Sequence, residues 1–280
     1  MSVKDQKELQ NYMDFLLPLV LDAGKELLTI NSTDDLKVEE KSSPRDLVTL
    51  YDKKIEKLLI EKLKENYPDH QFIGEEETAD KKNYTPQLTN SPTWIIDPID
   101  GTNNFVKRMP ICAISIGLTI NKEQVLGIVY NPYANELYTA IKDKGAFLNG
   151  KKITTSEVTE IQRSVINYEL SLATISTQMC NLYMSRLNYI IGEISGIRSY
   201  GCAALGICYV ACGRVDAYQA DALYSWDVAA ATLIAREAGG YIIDSSGKPF
   251  DLMKPNVLVA SNKKLADQYL ERFAKADKEN

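Results

Sequence analysis

One stretch constrains this chain more than any other: WIIDPIDGTNNF, Trp94 to Phe105. An apolar run that reads as a buried strand ends on two carboxylates, Asp97 and Asp100, with Pro98 between them. Gly101, Thr102 and two asparagines follow. Carboxylates at the end of a core strand are costly unless something compensates their charge. The pattern occurs twice more. Glu75, Glu76 and Glu77 end the short strand HQFIGEEE after Gly74, and Asp227 follows Trp226 near a helix start.

A divalent cation supplies the compensation. Ligands that are all oxygen select a hard ion such as Mg²⁺, which keeps several waters and is usually shared with a substrate phosphate. Gly101 lets the backbone approach a ligand closely. If a helix begins there, the N–H groups of Gly101, Thr102 and Asn103 can face an anion. Each segment also has an ordinary explanation. Asp-x-x-Asp-Gly makes turns, three glutamates make a solvated face, and Asp227 can cap a helix. Taken together, each abutting a core element, they point to a metal and phosphate site.

Other chemistries fit less well. Lys plus Arg total 32 against 38 Asp plus Glu, a net charge of -6. That balance argues against a nucleic-acid backbone as partner. The single histidine, His70, sits in the polar turn YPDHQF and reads as a surface residue. No GxSxG elbow, Walker A or GxGxxG is present. Zinc lacks Cys and His clusters. The five cysteines, Cys112, Cys180, Cys202, Cys208 and Cys212, form no CxxC pair and read as reduced thiols. The polar start MSVKDQKELQ is not a signal peptide, and no apolar run reaches the roughly 18–20 residues of a membrane span. A soluble, cytoplasmic protein is the simplest expectation.

The periodicity predicts an amphipathic helix over 4–30 and a charged loop over 39–49. A second helix is expected from about Asp46 to Asn66, ending before Pro68. Residues 94–153 alternate as an antiparallel sheet, with a hairpin at Asn121 and Lys122. The second half mixes strands with helices over about 171–190, 202–213 and 225–240, and a last helix follows. The fold class is α/β or α+β, a layered sandwich. It divides into an N-terminal lobe, 1–149, and a C-terminal lobe, 150–280, that meet near Gly150.

With these residues in hand, the chain resembles the inositol monophosphatase family, Mg²⁺-dependent and lithium-sensitive phosphatases. The resemblance is carried by GEEE (74–77), WIIDPIDGTNNF (94–105) and WDVAAATLIAREAGG (226–240). KSSPRDLVTLYD (41–52) and GIRSYGCAALGICYVACGRVDAY (196–218) fall in the same order, so it covers about residues 10–265. It implies an αβαβα sandwich of the sugar-phosphatase type, two to three Mg²⁺ per site, and a homodimer.

The resemblance also implies roles. Glu75, Asp97 and the Ile99 carbonyl would hold one metal, and Asp97, Asp100 and Asp227 a second. Glu75 and Glu76 would serve a looser third. Thr102, oriented by Asp52, would help activate water. Gly101 and Thr102 amides would bind phosphate, and Gly201, Cys202, Ala203 and Asp227 would border the substrate. Lys41 lies in a loop that borders such sites. The substrate would be inositol 1-phosphate or a related small phosphomonoester. The alternatives are NADP(H), fructose 1,6-bisphosphate or nucleoside bisphosphates, which similar bacterial enzymes accept, or a sensor without catalysis.

Two departures bear on selectivity. Cys202 stands where Ser or Thr is usual and is a poorer hydrogen-bond partner. Ala220, seven residues before Asp227, replaces a glutamate that binds ring hydroxyls in inositol-specific members. Asp221 is adjacent and is the nearest substitute, although a one-residue shift turns a strand side chain to the other face.

Overall fold

The computed structural model describes residues 3–30, 38–40, 47–81 and 85–279. Its first part runs α1 (Val3–Ile30), β1 (Val38–Glu40), β2 (Leu47–Thr49), α2 (Leu50–Asn66), β3 (Gln71–Gly74), α3 (Glu75–Ala79), β4 (Thr93–Asp100) and α4 (Thr102–Val106). Strands β5 (Ala113–Ile120), β6 (Glu123–Asn131), β7 (Glu136–Ile141), β8 (Gly145–Leu148) and β9 (Lys151–Ile153) then form a meander. The rest runs β10 (Val165–Tyr168), α5 (Thr177–Ile190), β11 (Gly196–Arg198), α6 (Ala203–Ala211) and β12 (Ala217–Ala220). It closes with α7 (Ser225–Glu237), β13 (Tyr241–Asp244), β14 (Val257–Ala260) and α8 (Lys263–Ala276).

Five layers result, in the expected αβαβα order. Helices α1 and α2 cover one face of a seven-stranded sheet, β3-β4-β5-β6-β7-β8-β9. Helices α6 and α7 fill the space between it and a five-stranded sheet, β11-β10-β12-β14-β13. Helices α5 and α8 pack together on the far side. The middle layer is thin because its residues are small. A Cβ on Gly127 of β6 would lie 2.7 Å from the Ala230 carbonyl of α7, inside contact distance. Glycine on the strand and the alanine run 229–231 on the helix therefore set how closely α7 lies on the sheet. That packing delivers the start of α7 to the end of β4.

Several sequence expectations change. The second helix starts at Leu50 rather than near Asp46, which lies outside the described residues along with Lys41. Extended Thr49 ends β2 and caps the helix, its hydroxyl accepting from Tyr51 N while its own N–H donates to Asp52. The stretch predicted as a loop holds β1 and β2, paired antiparallel. The meander is antiparallel as expected, but β3 adds a parallel edge beside β4. Glu75, Glu76 and Glu77 do not extend β3; they open α3. The helix expected from about 171 is a short 3₁₀ turn over 170–174, then α5, capped by Ser176.

His70 also differs from its expected place. It is half-buried, stacked on Tyr67 at 5.0 Å, and its Nδ1 accepts from Trp94 Nε1 at 3.0 Å. Burial lowers its pKa against the opposing pull of Glu8 and Asp69. Protonation also removes the acceptor that Trp94 needs. Because the folded value lies below the unfolded one of about 6.5, the unfolded chain binds more protons in that window. Stability present above pH ~6.5 is therefore lost as pH falls through the window. Melting temperature should drop more between pH 7.5 and 5.5 in the wild type than in His70→Gln; equal drops would refute the assignment.

Candidate active site

The Asp97/Asp100 spacing poses a geometric problem. Residues three apart on a regular strand face opposite sides. Strand β4 avoids this with a bulge. Asp97 pairs with Ser115 but Asp100 with Ala113, so β4 carries one extra residue across Pro98 and Ile99. Proline suits a bulge because it has no N–H to leave unpaired. Both carboxylates then border one pocket of about 220 Å³, along with Glu75, the Ile99 backbone region, Gly101, Thr102 and Asp227.

The helix starts around it place the rest. Gly101, at φ 88°, precedes the first residue of α4. A Cβ there would meet the Ile111 carbonyl at 2.9 Å, so both conformation and space require glycine. Thr102 Oγ lies 3.3 Å from Asp52 Oδ1 and 3.1 Å from the Ile99 carbonyl, to either of which it can donate. Asp52 Oδ2 is occupied by the Thr49 N–H and hydroxyl at the start of α2. Asp227, in the first turn of α7, accepts from Tyr224 N at 2.7 Å. Cys202 immediately precedes α6, its thiol donating to Asp100 Oδ2 at 3.1 Å, and Ala204 N donates to the same oxygen at 2.5 Å.

Electrostatics separates these acids from ordinary surface charges. Asp97 is 1% exposed. Burial first, then the charges of Glu75, Asp100 and Asp227, raise its pKa well above the usual carboxylate range. Asp100 is pushed up to about 6, chiefly by burial, with the Cys202 thiol and backbone N–H donors pulling it down. Among the described residues, no three or more His, Cys, Asp or Glu side chains are already arranged to hold a metal ion. Their hydrogen bonds hold them around the pocket instead.

The remaining predicted residues divide. Gly201, Cys202 and Ala203 line the pocket. Glu76 is buried on α3 and does not line this pocket; it borders a second one with Glu56, Glu77 and Asp80. Ala220 is fully buried in the core and does not line the pocket. Asp221 does not stand in for the absent glutamate. It is buried on the far side, accepting from Arg186 Nη1 at 2.8 Å and Gln219 Nε2 at 2.9 Å. The strand's alternation turned it away.

Two neighbours escaped the sequence reading. Glu56 of α2 is 4% exposed, and its oxygens accept from Glu76 N at 2.8 Å and Glu77 N at 2.7 Å, which fixes the start of α3. An acid next to Ile55 on an apolar helix face was the available signal. Burial, opposed by these two N–H donors, pushes its pKa up to about 7. Glu56→Ala would strand two N–H groups and should cost about 2 kcal/mol in denaturant unfolding; a loss under ~0.5 kcal/mol would refute the role. Glu169, just past β10, is 3% exposed and lines the pocket. It repeats the pattern of an acid at the end of an apolar strand.

A larger cleft lies elsewhere, between Leu88, the β6 start and the loop 249–254. Its charges are largely satisfied internally: Lys142 pairs with Glu123, and Glu237 accepts from the N–H groups of Asp143 and Gly145. Among the described residues, Glu75, Asp97, Asp100, Glu169 and Asp227 meet at the first pocket.

Comparison with known proteins decides what this arrangement belongs to. The sequence pattern of the inositol monophosphatase family matches residues 8–278. The chain belongs to the inositol monophosphatase family. It is a phosphoric monoester hydrolase of that type. It is 45% identical to human inositol monophosphatase 1 over 261 residues, covering 92% of each chain. The enzyme's fold matches the extragenic suppressor protein suhB of Bartonella henselae, with a TM-score of 0.84 and 30% identity over 95% of this chain and 99% of that one. It also matches SaIMPase-II solved with inositol monophosphate bound, with a TM-score of 0.81 and 26% identity over 96% and 95%. The same protein has been solved with 2'AMP bound.

Proposed function

We propose that the enzyme hydrolyses small phosphomonoesters by attack of water on phosphorus, assisted by two to three Mg²⁺. The observation that carries this is the convergence of Glu75, Asp97, Asp100 and Asp227 on one pocket beside the Gly101 turn. The donor set fits the ion: it is all oxygen, and burial together with the neighbouring charges of Glu75, Asp100 and Asp227 raises the pKa of Asp97. Glu75, Asp97 and the Ile99 carbonyl would hold one ion, Asp97, Asp100 and Asp227 another, and Glu75 with Glu76 the third. Bound Mg²⁺ neutralises phosphate charge and lowers the pKa of its water.

The chain's own residues orient the reaction. Thr102, donating to Asp52, leaves its oxygen lone pairs to receive a proton of the attacking water. The N–H groups of Gly101 and Thr102, at the start of α4, face the phosphate oxygens. Gly201, Cys202 and Ala203 would border the alcohol, and Asp227, lining the same pocket, would serve both it and an ion.

Inositol 1-phosphate is the first substrate in this reading. Ala220 and Asp221, turned away from the pocket, favour a second, in which selectivity is broad and NADP(H), fructose 1,6-bisphosphate or nucleoside bisphosphates are accepted. A site without a placed hydroxyl partner discriminates weakly, and SaIMPase-II binds both an inositol phosphate and a nucleotide. Phosphate release from inositol 1-phosphate and NADP⁺, with and without Mg²⁺ and with Asp227→Asn as blank, separates the two. Release that ignores Mg²⁺ or survives in Asp227→Asn would overturn the reading.

The same reading makes the enzyme lithium-sensitive, so millimolar Li⁺ should lower turnover. It divides the chain into lobes 1–149 and 150–280. It also makes it a homodimer, which light scattering tests. It also makes the protein cytoplasmic, in keeping with five free cysteines. No helix among the described residues is long and apolar enough to cross a membrane.

A further inference from the structure

The turn 199–204 carries an unusual share of the site's hydrogen bonds. Its Ala204 N–H and Cys202 thiol hold Asp100 Oδ2. The turn is itself gripped from two sides. From the five-stranded sheet, Glu169 accepts from Tyr200 N at 3.1 Å, Gly201 N at 3.0 Å and the Ser199 hydroxyl at 3.3 Å. From the seven-stranded side, Asn104 Nδ2 lies 2.7 Å from the Tyr200 carbonyl, 3.3 Å from that of Gly201 and 2.8 Å from that of Ile111. N–H groups and carbonyls of the same two residues are thus taken by opposite halves of the molecule. Both gripping side chains are nearly buried, at 3% and 9% exposure. Neither belongs to the acids that ring the pocket as ion ligands.

We propose that Glu169 and Asn104 form a clamp across the two sheets that positions Asp100 through the turn 199–204. This rests on the reading of Asp100 as a Mg²⁺ ligand. Glu169 continues the β10–β12 ladder through its N–H to the Gln219 carbonyl, so its backbone is fixed by the sheet. Asn104 is fixed by α4, whose first residue follows the Gly101 turn. A shift of either lets the turn move, and Asp100 moves with Ala204. The two are positioning residues, acting on the ion site without touching phosphorus.

The test titrates Mg²⁺ into metal-free wild type and variants by calorimetry, with phosphate release measured in parallel. Glu169→Gln keeps shape but sets an amide donor against a backbone donor. Asn104→Ala removes the opposite grip without changing charge. Each should weaken Mg²⁺ binding about tenfold, on the order of the net contribution of one hydrogen bond. The turnover deficit should shrink at saturating Mg²⁺, because Asp100 is then held by a second interaction. Asp221→Asn is the control. It removes an equally buried charge from the end of β12, the parallel neighbour of β10, is bonded to Arg186 rather than to the turn, and should lower melting temperature without moving Mg²⁺ affinity.

Mg²⁺ affinity within about twofold of wild type in both clamp variants, or an equal loss in Asp221→Asn, overturns the clamp. If Asn104→Ala does not fold, the isosteric Glu169→Gln decides alone. A wild type that binds Mg²⁺ yet releases no phosphate overturns the proposed reaction while the binding comparison still judges the clamp. A wild type that binds no Mg²⁺ overturns both.

Discussion

Asp97→Asn is expected to reduce turnover by at least about 10³-fold, the scale of losing several kcal/mol of charge stabilisation at phosphorus. The metal-free protein should meanwhile gain stability. Asp97 is buried among Glu75, Asp100 and Asp227, which raise its pKa in the fold. The folded state therefore binds more protons than the unfolded one above the ordinary carboxylate pKa. Its stability falls as pH rises through that window toward the raised folded value. Asparagine carries no charge and escapes this cost. Melting of metal-free protein at pH 8 should show the variant above wild type, with the gap closing toward pH 5. A variant with wild-type turnover would remove Asp97 from the ion site. One that melts lower at both pH values would show that Asp97 serves the fold rather than strains it.

The second large effect falls on Gly101. Gly101→Ala forces a Cβ to within 2.9 Å of the Ile111 carbonyl and 3.2 Å of Cys202 Cβ, at a φ of 88° that alanine avoids. The backbone term alone is about 1–3 kcal/mol. Relief requires moving either the turn or the segment holding Cys202, and both bear on the site. Misplacement on the order of 1 Å costs roughly 10²-fold in rate. A lower melting temperature together with about 10²-fold slower phosphate release is the expected result. A folded variant with unchanged kcat/KM would mean that the turn amides do not orient phosphate.

These effects show why parts of the site are legible from the chain alone. Acids at the ends of apolar runs are local signals, and Glu75, Asp97, Asp100 and Asp227 were each visible that way. Gly101 was legible for the same reason, since turn chemistry is set by a residue and its immediate neighbours. Glu169 obeys the same rule and was passed over because YEL sits in a segment without a glycine turn. Glu56 and Asn104 have partners 20 and 96 residues away along the chain, as with Glu76 and Tyr200, and local pattern holds no trace of such pairs.

By itself, the sequence determined the long helices, the meander of β4 to β9, the αβαβα class through its family motifs, and the identity of the acids, but not β1, β2 or α3. Periodicity, turn residues and short motifs act within a few residues, so they survive in one dimension. Only the tertiary structure decided how those acids meet. A bulge across Pro98 and Ile99 reverses the strand's alternation, bringing Asp97 and Asp100 to one pocket. The unbroken alternation of the chain from β12 onward sends Asp221 to Arg186 instead. His70 became an acceptor for Trp94 because β3 and β4 lie side by side. Each outcome depends on which strand lies beside which. That is settled by packing two sheets around a thin helical layer, not by the residues on either side of a given position.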